Sequence, residues 1–125
     1  MDQFWEDSLP LGYYDIVLSE GVSKNRGIQA NWHNMTYLKI SNSIDDNSVH
    51  LDYACGPGSL IGHYINSEEL FGVDISQNQI NYANNKYGKK GNFFTNEQFN
   101  LEEYQNYFDS ISIIGLMEYL TNEEI

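Results

Sequence analysis

The sequence holds one cysteine, Cys55, and six basic side chains against 18 acidic ones. A lone cysteine cannot close an internal disulfide, which fits a reducing cytoplasm. No apolar run approaches the roughly eighteen residues that a membrane helix needs, and no basic, apolar leader opens the chain. Membrane insertion and secretion are therefore not expected, and a cytoplasmic location is. The net charge of −12 would repel a polyanion unless a local basic patch outweighed it. The only basic pair, Lys89-Lys90, lies in "YGKKGN", a Gly-flanked turn that reads as a solvated loop. Nucleic acid is not an expected partner. No Cys/His cluster has metal-ligand spacing, and no motif context suggests a Ser-His-Asp or Cys-His arrangement, so no metal site is expected.

What is present is enough for a core. The 125 residues are 41% hydrophobic and 14% aromatic, which suits one compact domain or part of a larger one. "LGYYDIVLSE" has helical spacing at Tyr13, Ile16 and Val17 and predicts a helix from Leu11 to Glu20, stopped by Gly21. "IQANWHNMTYLKI" predicts a second helix over Ile28–Ile40 with Ile28, Trp32, Met35 and Leu38 near one face. After Ser48 the texture changes. "VHLDYA", "ELFGVDIS", "NFFTN" and "FDSISIIGLM" read as strands, the last covered on both faces. "GSLIGHYI" and "SQNQINYANNKYG" read as the helices between them, the second capped by Ser76 and ended at Gly88. "TNEEI" starts another helix, with Thr121 as cap and Glu124 at the capping-box position. Such alternation predicts an α/β fold, a three-layer parallel sheet with right-handed crossovers.

"LDYACGPGSL" joins the first strand to its helix. Backbone N–H groups and a helix start at such a turn suit an anionic ligand group, and Ala54, Gly56 and Gly58 permit close approach to the main chain. The spacing is not the dinucleotide fingerprint G-x-G-x-x-G: counted from Gly56, the third glycine falls on Ile61. Pro57 also removes one N–H. Asp52, in the apolar strand just ahead, would repel a pyrophosphate but could receive an ammonium; alternatively it ties down the turn's N–H groups. Asp74 ends the next strand, where a doubly wound sheet places its ligand crevice. It can accept both ribose hydroxyls or cap the following helix. A ligand with an amino-acid end near Asp52 and a ribose at Asp74 has the shape of S-adenosylmethionine.

"VHLDYACGPGSLIGHYI" followed by "LFGVDISQNQINYANNKYG" resembles the first two motifs of class I S-adenosylmethionine-dependent methyltransferases, and "YFDSISIIGLMEYLTNEE" resembles their fourth-strand motif. The resemblance covers residue 48 to the end. Ala54 stands where the family has its first glycine, and the acid usual after the third strand has no clear counterpart in "TNEQ". The resemblance implies a Rossmann-like fold, S-adenosylmethionine as cofactor, and methyl transfer to an acceptor. It implies that Ala54, Cys55, Gly56, Pro57 and Gly58 lie against the methionine portion, with Asp52 near its amino group. Asp74 would bind the ribose, Ile75 would pack on the adenine, and Asn96 or Glu97 would reach the adenine amine. Gly115 and Leu116 would lie beside the sulfonium.

Methyl transfer needs alignment of nucleophile, methyl and sulfur, and needs a base only where the acceptor must lose a proton. Candidates for that base are His33, His63 and Glu118. Residues 1–47 are expected to form a lid carrying Tyr13, Tyr14, Trp32 and His33, with Trp32 alternatively packed on the sheet's flank; residues 48–125 are expected to form the cofactor-binding core. The family usually has seven strands. Here about four are expected, in the order 3-2-1-4, as an N-terminal part of a longer enzyme or a natural truncation that pairs with another chain. The fourth strand would then be an exposed apolar edge through which copies could associate. The acidic charge favours a small-molecule acceptor. The competing classes are a non-catalytic methyltransferase-like module and an NAD-dependent oxidoreductase, the latter opposed by the missing glycine.

Overall fold

A computed structural model describes residues 10–23 and 28–114. Two helices, α1 (Tyr13–Ser23) and α2 (Ile28–Asn42), precede the strands β1 (Val49–Tyr53), β2 (Glu69–Asp74), β3 (Asn92–Thr95) and β4 (Ser110–Ile113). The short α3 (Ser59–His63) links β1 to β2, α4 (Gln77–Tyr87) links β2 to β3, and a 3-10 turn at Leu101–Tyr104 precedes β4. Every pairing is parallel and the order is β3-β2-β1-β4, as the alternation predicts. The chain therefore reverses its winding between β1 and β4. A crevice opens at the C-terminal ends of strands at such a point.

Period-two alternation sends the strand side chains to two cores. On one face Leu70 and Phe93 meet Leu60 and Ile61 of α3 and Ile80, Ala83 and Tyr87 of α4. On the other, Leu51, Phe71 and Val73 pack with Phe94, Phe99, Tyr104 and Phe108. Full burial of each such aliphatic or aromatic side chain contributes about 1.5–3 kcal/mol. Ser76 caps α4 as expected, accepting the Gln79 N–H at 3.3 Å.

Three expectations are corrected. The first helix continues through Gly21 to Ser23, and it buries Asp15 and Leu18 while Tyr13 and Ile16 face solvent. In α2 the predicted apolar face is turned outward, with Trp32 53% and Met35 71% exposed, so Trp32 does not pack on the sheet's flank. The inward face carries Ala30, His33, Asn34, Tyr37 and Ile40 instead. Finally, β4 is not covered on both faces: Ser110 and Ser112 point to one side, and on the other Ile111 and Ile113 are 56% and 51% exposed. The serines turn the apparently continuous apolar run into an alternating one. The helix begun at Thr121 lies outside the described residues.

Candidate cofactor-binding site

The glycine turn sits at the crevice between β1 and α3. Three of its residues have left-handed backbone: Ala54 at φ 67°, Gly56 at 56° and Gly58 at 86°. A side chain at Gly58 would lie 2.9 Å from the Phe93 ring and 3.2 Å from Ala83, so glycine lets α3 close on the core. Above Gly56 the opposite holds. Nothing lies within 4 Å of where a Cβ would stand, which leaves the main chain open to a ligand.

The turn satisfies its own donors. Ala54 and Cys55 both donate to the Val73 carbonyl, at 2.7 and 3.0 Å, and Gly58 donates to the Cys55 carbonyl at 3.1 Å. Gly56 donates to Asp74 Oδ1 at 3.1 Å, and Pro57 has no N–H to offer. The turn residues themselves thus present no free donor to an anion, and the start of α3 has no side-chain cap. Asp74 holds it to α4 as well, since its Oδ2 accepts the Ser76 N–H at 3.0 Å. Burial pushes the Asp74 carboxyl up, and the two backbone bonds oppose that rise.

Asp52 does not tie down the turn. Its Oδ1 accepts the Ser112 hydroxyl from β4 at 2.7 Å, and no bond to its Oδ2 exists among the described residues. Burial pushes this carboxyl up to about 7; the Ser112 bond pulls it down, and the Asp74 charge adds to the rise. Two acids therefore stand at neighbouring strand ends, one tied to the turn and one with an oxygen free.

The other candidates divide. Cys55 is buried against the core, so only its backbone faces the turn. Ile75 is half-buried beside Asp74. Asn96 is fixed at the crevice end, donating from its backbone to the Asp74 carbonyl at 3.1 Å and from its amide to Tyr53 Oη at 3.2 Å. Glu97 is exposed on the same loop. His33 stacks on Tyr37 at 5.5 Å between ring centres, and burial lowers its pKa. Gly115, Leu116 and Glu118 lie outside the described residues.

His63 is engaged with Asp15 and Tyr87. Its Nε2 lies 3.0 Å from Asp15 Oδ1, which also accepts the Ser59 hydroxyl at 2.7 Å. Asp15 Oδ2 accepts the hydroxyls of Tyr82 and Tyr87, each at 2.7 Å, and Lys86 Nζ at 3.0 Å. This buried clamp binds α1 to α3 and α4. Burial would raise the Asp15 pKa, but the bonds from Tyr82, Ser59, Tyr87 and Lys86 outweigh it and hold the carboxyl at about 2. Asp15 was not legible as a site residue, because its partners are distant in the chain. Tyr37 was legible in principle, through its helical spacing from His33 and Ile40. It faces Asp52, Tyr64, Asp15 and Cys55, and burial raises its phenol well above the ordinary range.

A parallel sheet wound in the order β3-β2-β1-β4, with a glycine turn after β1 and an acid ending β2, defines a Rossmann-like class I domain. The chain belongs to the methyltransferase domain family, whose model matches residues 51–125. S-adenosylmethionine is the cofactor of this class of domain. No curated protein sequence matches the chain. Among solved structures it is similar to a TehB-like SAM-dependent methyltransferase from Corynebacterium glutamicum, at 18% identity and TM-score 0.62, covering 90% of this chain and 59% of that one. It is also similar to magnesium protoporphyrin IX methyltransferase from Synechocystis, solved with bound SAH. There the identity is 21% and the TM-score 0.58, over 74% of this chain and 46% of that one. A third similarity is to a protein from work on conversion of a disulfide bond into a thioacetal group in echinomycin biosynthesis. It has 20% identity and TM-score 0.59, over 71% of this chain and 39% of that one. The chain spans about 39–59% of the length of these structures.

Proposed function

We propose that the protein transfers the methyl group of S-adenosylmethionine to a small-molecule acceptor. The observation that carries this reading is the turn whose donors are all engaged, flanked by two acids at adjoining strand ends. The two carboxylates oppose a pyrophosphate there, and they offer acceptors to an ammonium and to ribose hydroxyls. The open space above Gly56 suits the methionine portion against the main chain of Ala54 to Gly58. Asp52 then meets the amine, Asp74 the ribose, and Ile75 the adenine face. Asn96, already fixed by Tyr53 and Asp74, is a better partner for the adenine amine than the loop residue Glu97.

The bound cofactor supplies a sulfonium methyl group activated for in-line displacement. The protein's own residues align it and keep water away. Residues 1–47 act as a lid on the core of residues 48–125, with Tyr37 and His33 as the inward groups of α2. His33 is held neutral by burial, which suits a proton acceptor where the substrate must lose one. The charge of −12 disfavours nucleic acid as acceptor. The same reading includes a cytoplasmic location; no described helix is long and apolar enough to cross a membrane. Ile111 and Ile113 make the fourth strand a surface for self-association.

Calorimetric titration of folded protein with S-adenosylmethionine, its demethylated product and NAD tests the reading. Heat with the first two and none with NAD is expected. No heat with either of the first two overturns it. Binding without label transfer to any small acceptor supports the non-catalytic module instead.

A further inference from the structure

A chain of hydrogen bonds crosses from β4 to β1 and ends at Asp52. Ser110 Oγ lies 2.7 Å from His50 Nδ1, and His50 Nε2 lies 2.9 Å from Ser112 Oγ. Ser112 Oγ in turn donates to Asp52 Oδ1 at 2.7 Å. With Asp52 Oδ1 as the acceptor, Ser112 gives it its only proton and accepts from His50, which places the imidazole proton on Nε2 and leaves any acid proton of Asp52 on Oδ2. Nδ1 is then the acceptor for Ser110. All donors run in one direction, toward the carboxylate, and His50, Asp52 and Ser112 are buried. Burial lowers the His50 pKa to about 4, so the ring is neutral and serves as a fixed donor.

We propose that His50 and Ser112 are positioning residues that hold Asp52 as the receptor for the ammonium of the cofactor's amino-acid end, and that ligand binding releases the Asp52 proton to solvent. The proposal rests on the methyltransferase reading above. In the free site burial and the Asp74 charge favour the neutral acid, against the pull of the Ser112 bond. On binding, its O–H bond breaks, the proton passes to buffer, and the carboxylate accepts an N–H from an ammonium that keeps its own charge.

The surroundings admit this exchange. Asp74 faces Asp52 from β2 and opposes its ionisation. From α2 comes the Tyr37 phenol, and from the turn the Cys55 thiol, both raised in pKa and uncharged. His50 reaches it through Ser112 without charge. Lys86 is bonded to Asp15 and Lys90 to the Gly62 carbonyl. A cationic ligand group is the charge that this pocket is arranged to receive.

The test compares S-adenosylhomocysteine with 5′-methylthioadenosine, both uncharged at sulfur and differing in the amino-acid end, from pH 5.5 to 8.5. For S-adenosylhomocysteine, affinity is expected to weaken about tenfold per unit below pH 7, with about one proton released per site. Calorimetry in buffers of different ionisation enthalpy counts that proton. Methylthioadenosine should bind without the step. Ser112→Ala should move the acidic arm up by about one pH unit and weaken binding at pH 7 about tenfold, since a bond to the ionised form is gone. Ser112→Thr should restore the wild-type profile, and His50→Leu should shift it in the same direction as Ser112→Ala but by less. Identical profiles for the two ligands, or for wild type and Ser112→Ala, overturn the proposal. The wild-type proton count decides the matter even where a variant fails to fold. If neither ligand binds folded protein at any pH, the cofactor reading itself falls, a different failure from binding without a pH step.

Discussion

Replacing Asp15 by asparagine is expected to cost about 3 kcal/mol of stability. The side chain is fully buried and accepts bonds from Ser59, Tyr82, Tyr87 and Lys86, with His63 also in contact. Lowering its pKa from 3.8 to about 2 corresponds to about 2 kcal/mol. The amide keeps one acceptor oxygen but turns an NH2 toward groups that are themselves donors, which adds to the loss. In a domain of this size the melting temperature should fall by about 10–15 °C. The pH dependence has a definite sign. A carboxyl with a depressed folded pKa stabilises fully above its unfolded value near 4, and that contribution disappears as pH falls toward about 2. Urea unfolding at pH 7 and pH 3 reads both effects: the variant should be weaker at pH 7 and should lose part of the wild-type acid sensitivity. Lys86→Met, at a side chain 47% exposed, should cost under about 1 kcal/mol. An Asp15→Asn loss below about 1 kcal/mol at pH 7 would refute the account of Asp15 as the clamp.

Two further expectations concern the turn. Ala54 holds a left-handed backbone at φ 67°, which disfavours an L side chain by about 1–2 kcal/mol, while glycine gives back about 0.5–1 in unfolded-chain entropy. Ala54→Gly should therefore raise stability by about 0.5–1 kcal/mol in chemical unfolding, and a loss would show that the methyl group packs usefully. Asp74→Ala should weaken S-adenosylmethionine binding on the order of a hundredfold, from two charge-assisted bonds. It should also destabilise the free protein by leaving the Gly56 and Ser76 N–H groups without their acceptor, and unchanged affinity would remove Asp74 from the ribose site.

The sheet was legible because its signals are local. "VHLDY" and "ELFGVD" are bounded by turn chemistry, and alternation with helices implies the parallel order. The positions of Asp52 and Asp74 were legible for the same reason, since each is placed by the strand that carries it. Partners joined only by tertiary contact were not. Ser110 and Ser112 matter because β4 registers against β1, putting them opposite His50 and Asp52. Nothing in "SISII" alone reports that register. The helix faces failed for a related cause: apolar periodicity marked Trp32 and Met35, whereas α1 and α2 dock through Asp15, Ala30, His33 and Tyr37. A buried acid with distant partners looks like a solvent-facing residue until those partners are known. The competing helical stripe in α2 was present in the sequence, but nothing local chose between the two.

The Asp15 clamp also sets an order of events during synthesis. Its partners lie far along the chain, with Tyr87 separated from it by 72 residues. A ribosome adds about 5–20 residues per second, so α1 leaves the exit tunnel seconds before Tyr82, Lys86 and Tyr87 exist to receive it. Until then Ser59 and His63 are the only members of the clamp available to Asp15. The full clamp on α1 can close only once the α4 residues have been made, so a closed clamp reports that α3 and α4 are in place.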